Sequence, residues 1–388
     1  MTLIDLWNSD RTQVTSKRLE QLIAFAGEGK LRDGNETTAE LRALLAVVPS
    51  DILGEWIEEC LTSRFSDFGF VVQDIVNEIG HRLNFVVRPG VYRGHSNEGY
   101  DGLWQIPNGQ SILVESKCST AYSINLARIA DYRKQIAPDL AVEPESISIL
   151  LVVGDESTED LEAQVRGSRF AWDIRLLGMR ALFRLLQLRE SLDDPAVERQ
   201  IQNLLIPKEF TRLDSIVDLV FSTAEDAQDN TEEPEVEHSE PRTKDTPAAN
   251  FHGEILPRLE RRFGKSLVKR SRVVWGSPDD SVLVSCQVSR EYDSGGYWFG
   301  LKRTTKESLE KHGNAHCAFG LNSPDKVLLI PYNDLAKQLD NCHTSPDRDG
   351  SIRHWHIRLE TNEAGEISML SRGDHAHLPV SEFLLDRT

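Results

Sequence analysis

Asp101, Glu115 and Lys117 are the residues whose types and spacing promise chemistry. They lie in Tyr100-Asp101-Gly102-Leu103-Trp104-Gln105-Ile106-Pro107-Asn108-Gly109-Gln110-Ser111-Ile112-Leu113-Val114-Glu115-Ser116-Lys117. Two apolar runs there flank Asn108-Gly109, a tight-turn pair, which reads as a β-hairpin. Glu115 and Lys117 are two positions apart and project from one face of a strand. A two-residue turn would set Asp101 opposite Ser116 and away from that face. A three-residue loop, Pro107-Asn108-Gly109, sets Asp101 opposite Glu115, and a bulge at Gly102 would give the same offset. We adopt the second register because Pro107 suits a loop better than a paired position. Two carboxylates and one amine then converge at a hairpin end. Such carboxylates can hold Mg²⁺ through oxygen while leaving room for water and a phosphate oxygen. A lysine beside them can orient the attacking water or offset developing negative charge.

The elements that must position these residues follow from hydrophobic period. Residues 1–65 read as helices, with Leu19, Leu22, Ile23 and Ala26, then Leu41, Leu44 and Leu45, at helical spacing before a break at Pro49. A helix from about Phe68 to Leu83 buries Val72, Ile75, Val76, Ile79 and Leu83. The period then changes to strand at Phe85-Val86-Val87, Gly99–Ile106, Ser111–Lys117 and Ile147–Val153, with a helix over about Ile124–Ile136. Residues 179–192 and 196–220 add covering helices, and Asp173-Ile174-Arg175 reads as a helix N-cap with a surface arginine, substrate contact being the alternative. The expected fold class is a mixed α/β core with a helical N-terminal extension and a separate α+β C-terminal domain.

Composition sets outer limits. The chain has 388 residues and a formal net charge of −18, from 44 basic and 62 acidic side chains, which argues against coating nucleic acid by bulk electrostatics but leaves room for a local basic groove. No apolar run approaches the roughly 20 residues of a membrane span, and the N-terminal stretch lacks the pattern of a secretory leader, so no membrane partner and a cytoplasmic location are expected. The five cysteines are scattered and read as reduced thiols. Residues 222–250 are acidic and nearly free of large apolar side chains, which reads as a disordered linker. The expected segments are 1–65, 66–221, the linker 222–250, and 251–388.

Asp101, thirteen intervening residues and then Glu115-x-Lys117 resemble the PD-(D/E)XK nuclease superfamily, over roughly Phe68 to Val153. The proline of that motif is absent, since Gly99-Tyr100 precedes Asp101. The resemblance implies a restriction-endonuclease-like core, Mg²⁺ as cofactor with Mn²⁺ substituting, and Asp101, Glu115 and Lys117 as catalytic residues, the two acids as metal ligands. Many members add a helix-borne residue; Gln73, Asp74 and Glu78 are available, with Asp74 or Glu78 the candidate third ligand. Arg128-Ile129-Ala130-Asp131-Tyr132 is similar to the Q-x-x-x-Y element of recombination-type nucleases, with Arg in place of Gln. A solvated strand face would also carry Glu-x-Lys, but charges on so apolar a strand are costly unless they serve a site.

Beyond the linker, Arg258, Arg261, Arg262, Lys265, Lys269, Arg270 and Arg272 form a local cationic run, a candidate for phosphate contact or a solvated helix face. Trp298 and Trp355 lie in Tyr297-Trp298-Phe299-Gly300 and His354-Trp355-His356, where adjacent aromatics must alternate between core and surface. The histidine pairs there, His312 and His316 among them, have chelating spacing without the second ligands that zinc needs. The expected function is an Mg²⁺-dependent DNA endonuclease of restriction or anti-phage defence, acting as a homodimer, its target recognised by residues 251–388. The alternatives are a nuclease switched on by a small nucleotide bound there, and an inactive nucleic-acid or protein adaptor. No P-loop is present, which argues against a built-in ATP motor.

Overall fold

The computed structural model describes residues 1–92, 99–106, 109–117, 124–154, 159–192, 195–206, 248–292, 296–346, 351–362, 364–372 and 377–385. Pro107, Asn108, Cys118, residues 207–220 of the expected last covering helix and residues 222–247 of the expected linker lie outside them. The fold is mixed α/β, with three sheets, none closed, and the chain divides into two units, Met1–Asn230 and Thr231–Thr388. Among the described residues no helix is long and apolar enough to cross a membrane.

In the first unit, α1 (Leu3–Ser9), α2 (Arg11–Thr15), α3 (Leu19–Phe25), α4 (Glu36–Val47) and α5 (Ser50–Thr62) precede α6 (Phe68–Arg82). Asn35 caps α4 by accepting the Thr38 N–H at 3.0 Å, and Pro49 separates α4 from α5. There follow β1 (Val86–Pro89), β2 (Gly102–Gln105), β3 (Ser111–Lys117), α7 (Leu126–Leu140), β4 (Ile147–Val153), α8 (Glu159–Arg166), β5 (Ile174–Gly178), α9 (Met179–Ser191) and α10 (Pro195–Leu205). The sheet runs β1-β2-β3-β4-β5, antiparallel through β3 and parallel from β3 to β5. Strands buried on both faces read as near-continuous apolar runs, as in Ile147-Ser148-Ile149-Leu150-Leu151-Val152-Val153. Alternation splits each strand between two cores. Trp104, Ile112, Val114, Leu150 and Val152 pack with α1 to α6, α9 and α10, whereas Leu103, Leu113, Ile149 and Leu151 pack with α7. Helices α1 to α5 therefore share one hydrophobic cluster with the sheet.

One expectation is corrected here. Asp173 is no helix cap: it precedes β5 and forms an ion pair with Arg133 at 3.0 Å, while Arg175 lies within that strand. A five-residue strand with mixed burial carries too little period to be distinguished from the start of a helix.

A close approach fixes α6 on the sheet. A Cβ at Gly80 would lie 2.5 Å from the fully buried Trp104 indole, whose Nε1 donates to Asn77 Oδ1 at 3.0 Å. The ring is pinned and cannot give way. Gly80→Ala is thus expected to lower stability by about 1–3 kcal/mol, since overpacking outweighs the roughly 1 kcal/mol gained from helix propensity. Urea unfolding measures it, and a stabilised variant would show that the ring moves freely.

The second unit contains α11 (Ala248–Phe263), β6 (Val268–Lys269), β7 (Val274–Gly276), β8 (Leu283–Ser289), β9 (Gly296–Lys302), α12 (Arg303–Glu310), β10 (Ala315–Leu321), β11 (Val327–Pro331), α13 (Tyr332–Ala336), β12 (His343–Pro346), β13 (Ile352–Thr361), β14 (Ile367–Met369) and β15 (Leu378–Pro379). One sheet has the order β11-β10-β8-β7-β6; in the other, β13 pairs β12 and β14 on one edge and β9 on its other edge. Tyr297, Phe299, Leu301, Trp355, Ile357 and Leu359 are buried between them, so Trp355 belongs to the core.

Candidate active site

The register Gly102↔Val114, Leu103↔Leu113 is the one a three-residue loop produces, closed by hydrogen bonds between Ile106 and Gln110 and from the Gly109 N–H to the Ile106 carbonyl. Regular pairing stops at Gly102. The Asp101 N–H also donates to the Val114 carbonyl, at 3.1 Å, so two residues of this strand address one of β3, as in a bulge. Asp101 then reaches along β3 with its carboxylate: Oδ2 accepts from the Ser116 N–H at 2.7 Å and from the Ser116 hydroxyl at 2.8 Å.

Three donors fix the Asp101 backbone. Its carbonyl accepts from the Gly90 N–H at 3.0 Å, Gln73 Nε2 at 3.1 Å and Asn77 Nδ2 at 2.9 Å. Gln73 and Asn77 are four apart on α6 and both buried, so one helix face delivers both amides. Asn77 approaches so closely that a Cβ at Gly102 would meet its Oδ1 at 2.2 Å, which gives Gly102 a steric reason. The orientation of Asp101 is therefore set by packed, hydrogen-bonded amides rather than by a loop.

Glu115 and Lys117 project on the α7 side, where Lys117 Nζ lies 2.6 Å from Glu115 Oε1. Glu115 is only 6% exposed, and its Oε2 is buried without a hydrogen-bond partner. Burial, aided by the Asp101 charge and opposed by Lys117 and Arg128, pushes the Glu115 carboxyl up to about 7. Burial likewise raises Asp101, against the pull of Lys117 and of the Ser116 hydrogen bonds. At Lys117 burial works against the charge, but Glu115 and Asp101 outweigh it and hold the ammonium above its usual range. From α7, Arg128 adds its charge beside Glu115, and Tyr132 comes so near Gly99 that a Cβ there would lie 2.8 Å from its hydroxyl. The Arg128 guanidinium lies 5.8 Å from the Tyr132 ring centre, so both α7 residues noted in the sequence stand at this end of the sheet.

The two helix acids have other partners. Asp74 accepts from Arg42 Nε at 2.9 Å and, in a short hydrogen bond, from the Tyr92 hydroxyl; burial, only partly offset by Arg42, raises it to about 6. Glu78 accepts from Arg82 Nε at 2.8 Å. The face carrying Gln73 and Asn77 meets Asp101, and Asn77 and Ser116 are the residues that sequence reasoning missed. Neutral amides and a hydroxyl carry no motif signal, although Asn77 and Gln73 stand at helical spacing on an otherwise apolar face.

Among the described residues no group of three or more His, Cys, Asp or Glu side chains is arranged to hold a metal. Mg²⁺ asks for less, since one or two carboxylates with water and substrate oxygens complete its shell. Two carboxylates within mutual electrostatic reach, one with an orphaned buried oxygen, fit that demand, and the all-oxygen donor set excludes a thiolate or imidazole zinc site.

In the second unit the cationic run is partly consumed by structure. Arg258 donates to the Pro324 carbonyl in a short hydrogen bond and to Leu385 O at 3.2 Å, Lys265 pairs with Asp279 at 2.5 Å, and Arg270 donates to Ser277 O at 3.0 Å. Arg262 acts on His316, and Lys269 on His252. Arg261 lies in the last turn of α11, and Arg272 between β6 and β7. Trp298 is half-buried, whereas Trp355 is 8% exposed with Lys306 Nζ 5.5 Å from its ring centre. Compared with known protein families the chain matches none, and no curated protein is similar to it in sequence.

Proposed function

We propose that the first unit is a Mg²⁺-dependent nuclease of the PD-(D/E)XK type that hydrolyses phosphodiester bonds of DNA, as restriction and anti-phage enzymes do. The observation that carries this reading is the meeting of Asp101, Glu115 and Lys117 at one end of β2 and β3, with an unpartnered carboxylate oxygen buried between charged neighbours. The order α6-β1-β2-β3-α7-β4, with β3 and β4 parallel and α7 crossing between them, supports a restriction-endonuclease-like core. Asp101 and Glu115 would hold the ion, which when bound polarises the phosphate and activates water. Ser116 keeps the Asp101 carboxylate aimed, and the Gln73 and Asn77 amides keep its backbone from turning. Lys117 only partly opposes the rise of the Glu115 carboxyl, and its main part is to place a positive charge where the phosphate's negative charge grows.

Cleavage of plasmid DNA with Mg²⁺ or with EDTA tests the reading, and full cutting in EDTA or by Asp101→Ala overturns it. Lys117→Met is expected to lower turnover about 10²–10³-fold while leaving the Mg²⁺ concentration for half-maximal rate nearly unchanged. A variant that cuts normally at saturating Mg²⁺ would make Lys117 a contributor to metal binding alone. One such site cuts one strand, so double-strand cleavage calls for two sites in opposite orientation, most simply from a two-fold homodimer. Sedimentation with and without DNA tests that, a monomer with concerted double-strand cutting being the contrary result. Target recognition is assigned to the second unit.

A further inference from the structure

The outward face of β9, β13 and β12 is unlike the rest of this acidic chain. Directly opposite residues share a face of a sheet, so the register places Trp298 beside Arg358, Gly300 beside His356, and Lys302 beside His354, with His343 and Ser345 following on β12. These eight positions hold two permanent cations, three imidazoles and no acid, in a protein of net charge −18. Glu360, opposite Gly296, ends the row.

At its centre the Trp298 ring is locked. Its indole N–H can only donate and does so to His356 Nδ1 at 3.0 Å, which leaves the proton of neutral His356 on Nε2, 2.6 Å from the Ser345 hydroxyl. The Trp298 backbone N–H donates to Ser289 Oγ at 3.0 Å. Gly300 lies beside the ring, where a Cβ would come to ordinary contact distance, 3.4 Å. The polar edge of this half-buried tryptophan is thus consumed inside the sheet, and a π-face fixed in orientation is what it offers. Arg358 stands directly across from it on β13, and Lys302 lies four residues further along β9, roughly 13 Å away at about 3.3 Å per residue. A nucleoside monophosphate, with its single phosphate, cannot engage both cations over that span, whereas non-adjacent phosphates of an extended strand can.

We propose that this face binds an unpaired stretch of nucleic acid, one base stacked on Trp298 and flanking phosphates over Arg358 and Lys302. An unpaired strand is specified because bases within a duplex already spend both faces on their neighbours, whereas a splayed base can lie on a sheet-borne ring. The proposal stands on the second unit alone and does not require the first to be a nuclease.

The test is fluorescence anisotropy of a labelled twelve-residue oligothymidylate with the full chain, in EDTA at low salt. Trp298→Ala is expected to weaken binding about tenfold and Trp298→Tyr much less. Arg358→Glu, at an exposed position that leaves the core intact, should weaken binding and lower the slope of log affinity against log salt by about 1. A duplex of equal length and thymidine monophosphate should both compete poorly. Asp101→Ala should bind as the parent does, which separates this result from the fate of the nuclease reading. Unchanged affinity in Trp298→Ala or in Arg358→Glu overturns the proposal. Equal binding of the duplex, or displacement by the mononucleotide at like concentration, overturns it too, pointing to a duplex reader or a nucleotide sensor instead.

Discussion

Glu115→Gln is expected to abolish the proposed Mg²⁺-dependent cutting of DNA and, in EDTA at pH 8, to make the chain harder to unfold by an amount on the order of 2–3 kcal/mol. The two outcomes have one cause. Glu115 is buried beside Asp101, and its carboxyl is pushed up to about 7, above the 4.5 of an exposed glutamate. A carboxyl raised by folding binds its proton more tightly in the folded state, so the contribution of Glu115 to stability is greatest at low pH and falls as pH rises from about 4.5 through about 7. Glutamine cannot ionise and fills nearly the same space, so the variant should match the parent near pH 4, lack the decline, and surpass it above pH 7. Function pulls the other way. If Glu115 holds the ion as proposed, its loss should cost more than the roughly 10–100-fold that follows loss of an outer partner. A gain in stability with a loss of activity is what a site held under electrostatic strain for catalysis produces. Urea titrations of both proteins between pH 4 and pH 8 in EDTA, with plasmid cleavage alongside, check it. A variant less stable than the parent at pH 8 would show that Glu115 is an ordinary ion-pair partner of Lys117, and retained cleavage would remove Glu115 from the metal site.

Much of this was legible because the hairpin is written in local signals. Apolar alternation places Leu103 and Leu113 on one face and Trp104 and Ile112 on the other, and Pro107 before Asn108-Gly109 favours the longer loop, which is the register found. Asp101 departs from its expected place opposite Glu115 because pairing ends in a bulge, a one-residue irregularity that hydrophobic period cannot carry. The choice between the two helical pairs on α6 was also invisible. Gln73 with Asn77 and Asp74 with Glu78 have the same spacing, and the rotation of α6 is set by distant partners: Arg42 on α4, Tyr92 after β1, and Trp104 under Gly80. In the second unit, alternation sets Trp298 opposite in facing to Tyr297 and Phe299, and Trp355 opposite to His354 and His356, without saying which set faces the core. The pairing of β9 with β13 decides it, and strands as short as β6, β7, β14 and β15 exist only through such pairing.

Arg82→Met should cost about 3–5 kcal/mol, the range for removing one member of a buried charge network. Arg82 is 2% exposed and each of its nitrogens is engaged: Nε donates to Glu78 at 2.8 Å, Nη1 to the Ser50 hydroxyl at 2.8 Å, and Nη2 to the carbonyls of Leu45 at 2.7 Å and Val48 at 2.6 Å. Ser50 in turn donates to the buried Glu190 on α9 at 2.5 Å. The carbonyls are those a helix leaves orphaned at its C-terminus, and Pro49, lacking an N–H, cannot supply the donor that a continuing chain would. One guanidinium therefore closes α4, aligns the start of α5, neutralises a carboxylate of its own helix and reaches α9 through a hydroxyl. Methionine would fill the space but leave Glu78, the Ser50 hydroxyl and two carbonyls without these donors. Arg82→Lys should recover little, because a single ammonium cannot span acceptors arranged on three sides. Ser50→Ala, which removes the acceptor of Arg82 Nη1 and the donor to Glu190 but leaves the other three Arg82 contacts, should cost less, about 1–3 kcal/mol. If Arg82→Met unfolds within 1 kcal/mol of the parent in urea, water reaches these groups and the network is peripheral. If the loss is full, α6 owes its placement to Arg82, and with it the Gln73 and Asn77 amides that hold Asp101, so a helix-packing residue remote in sequence governs the geometry of the carboxylate pair.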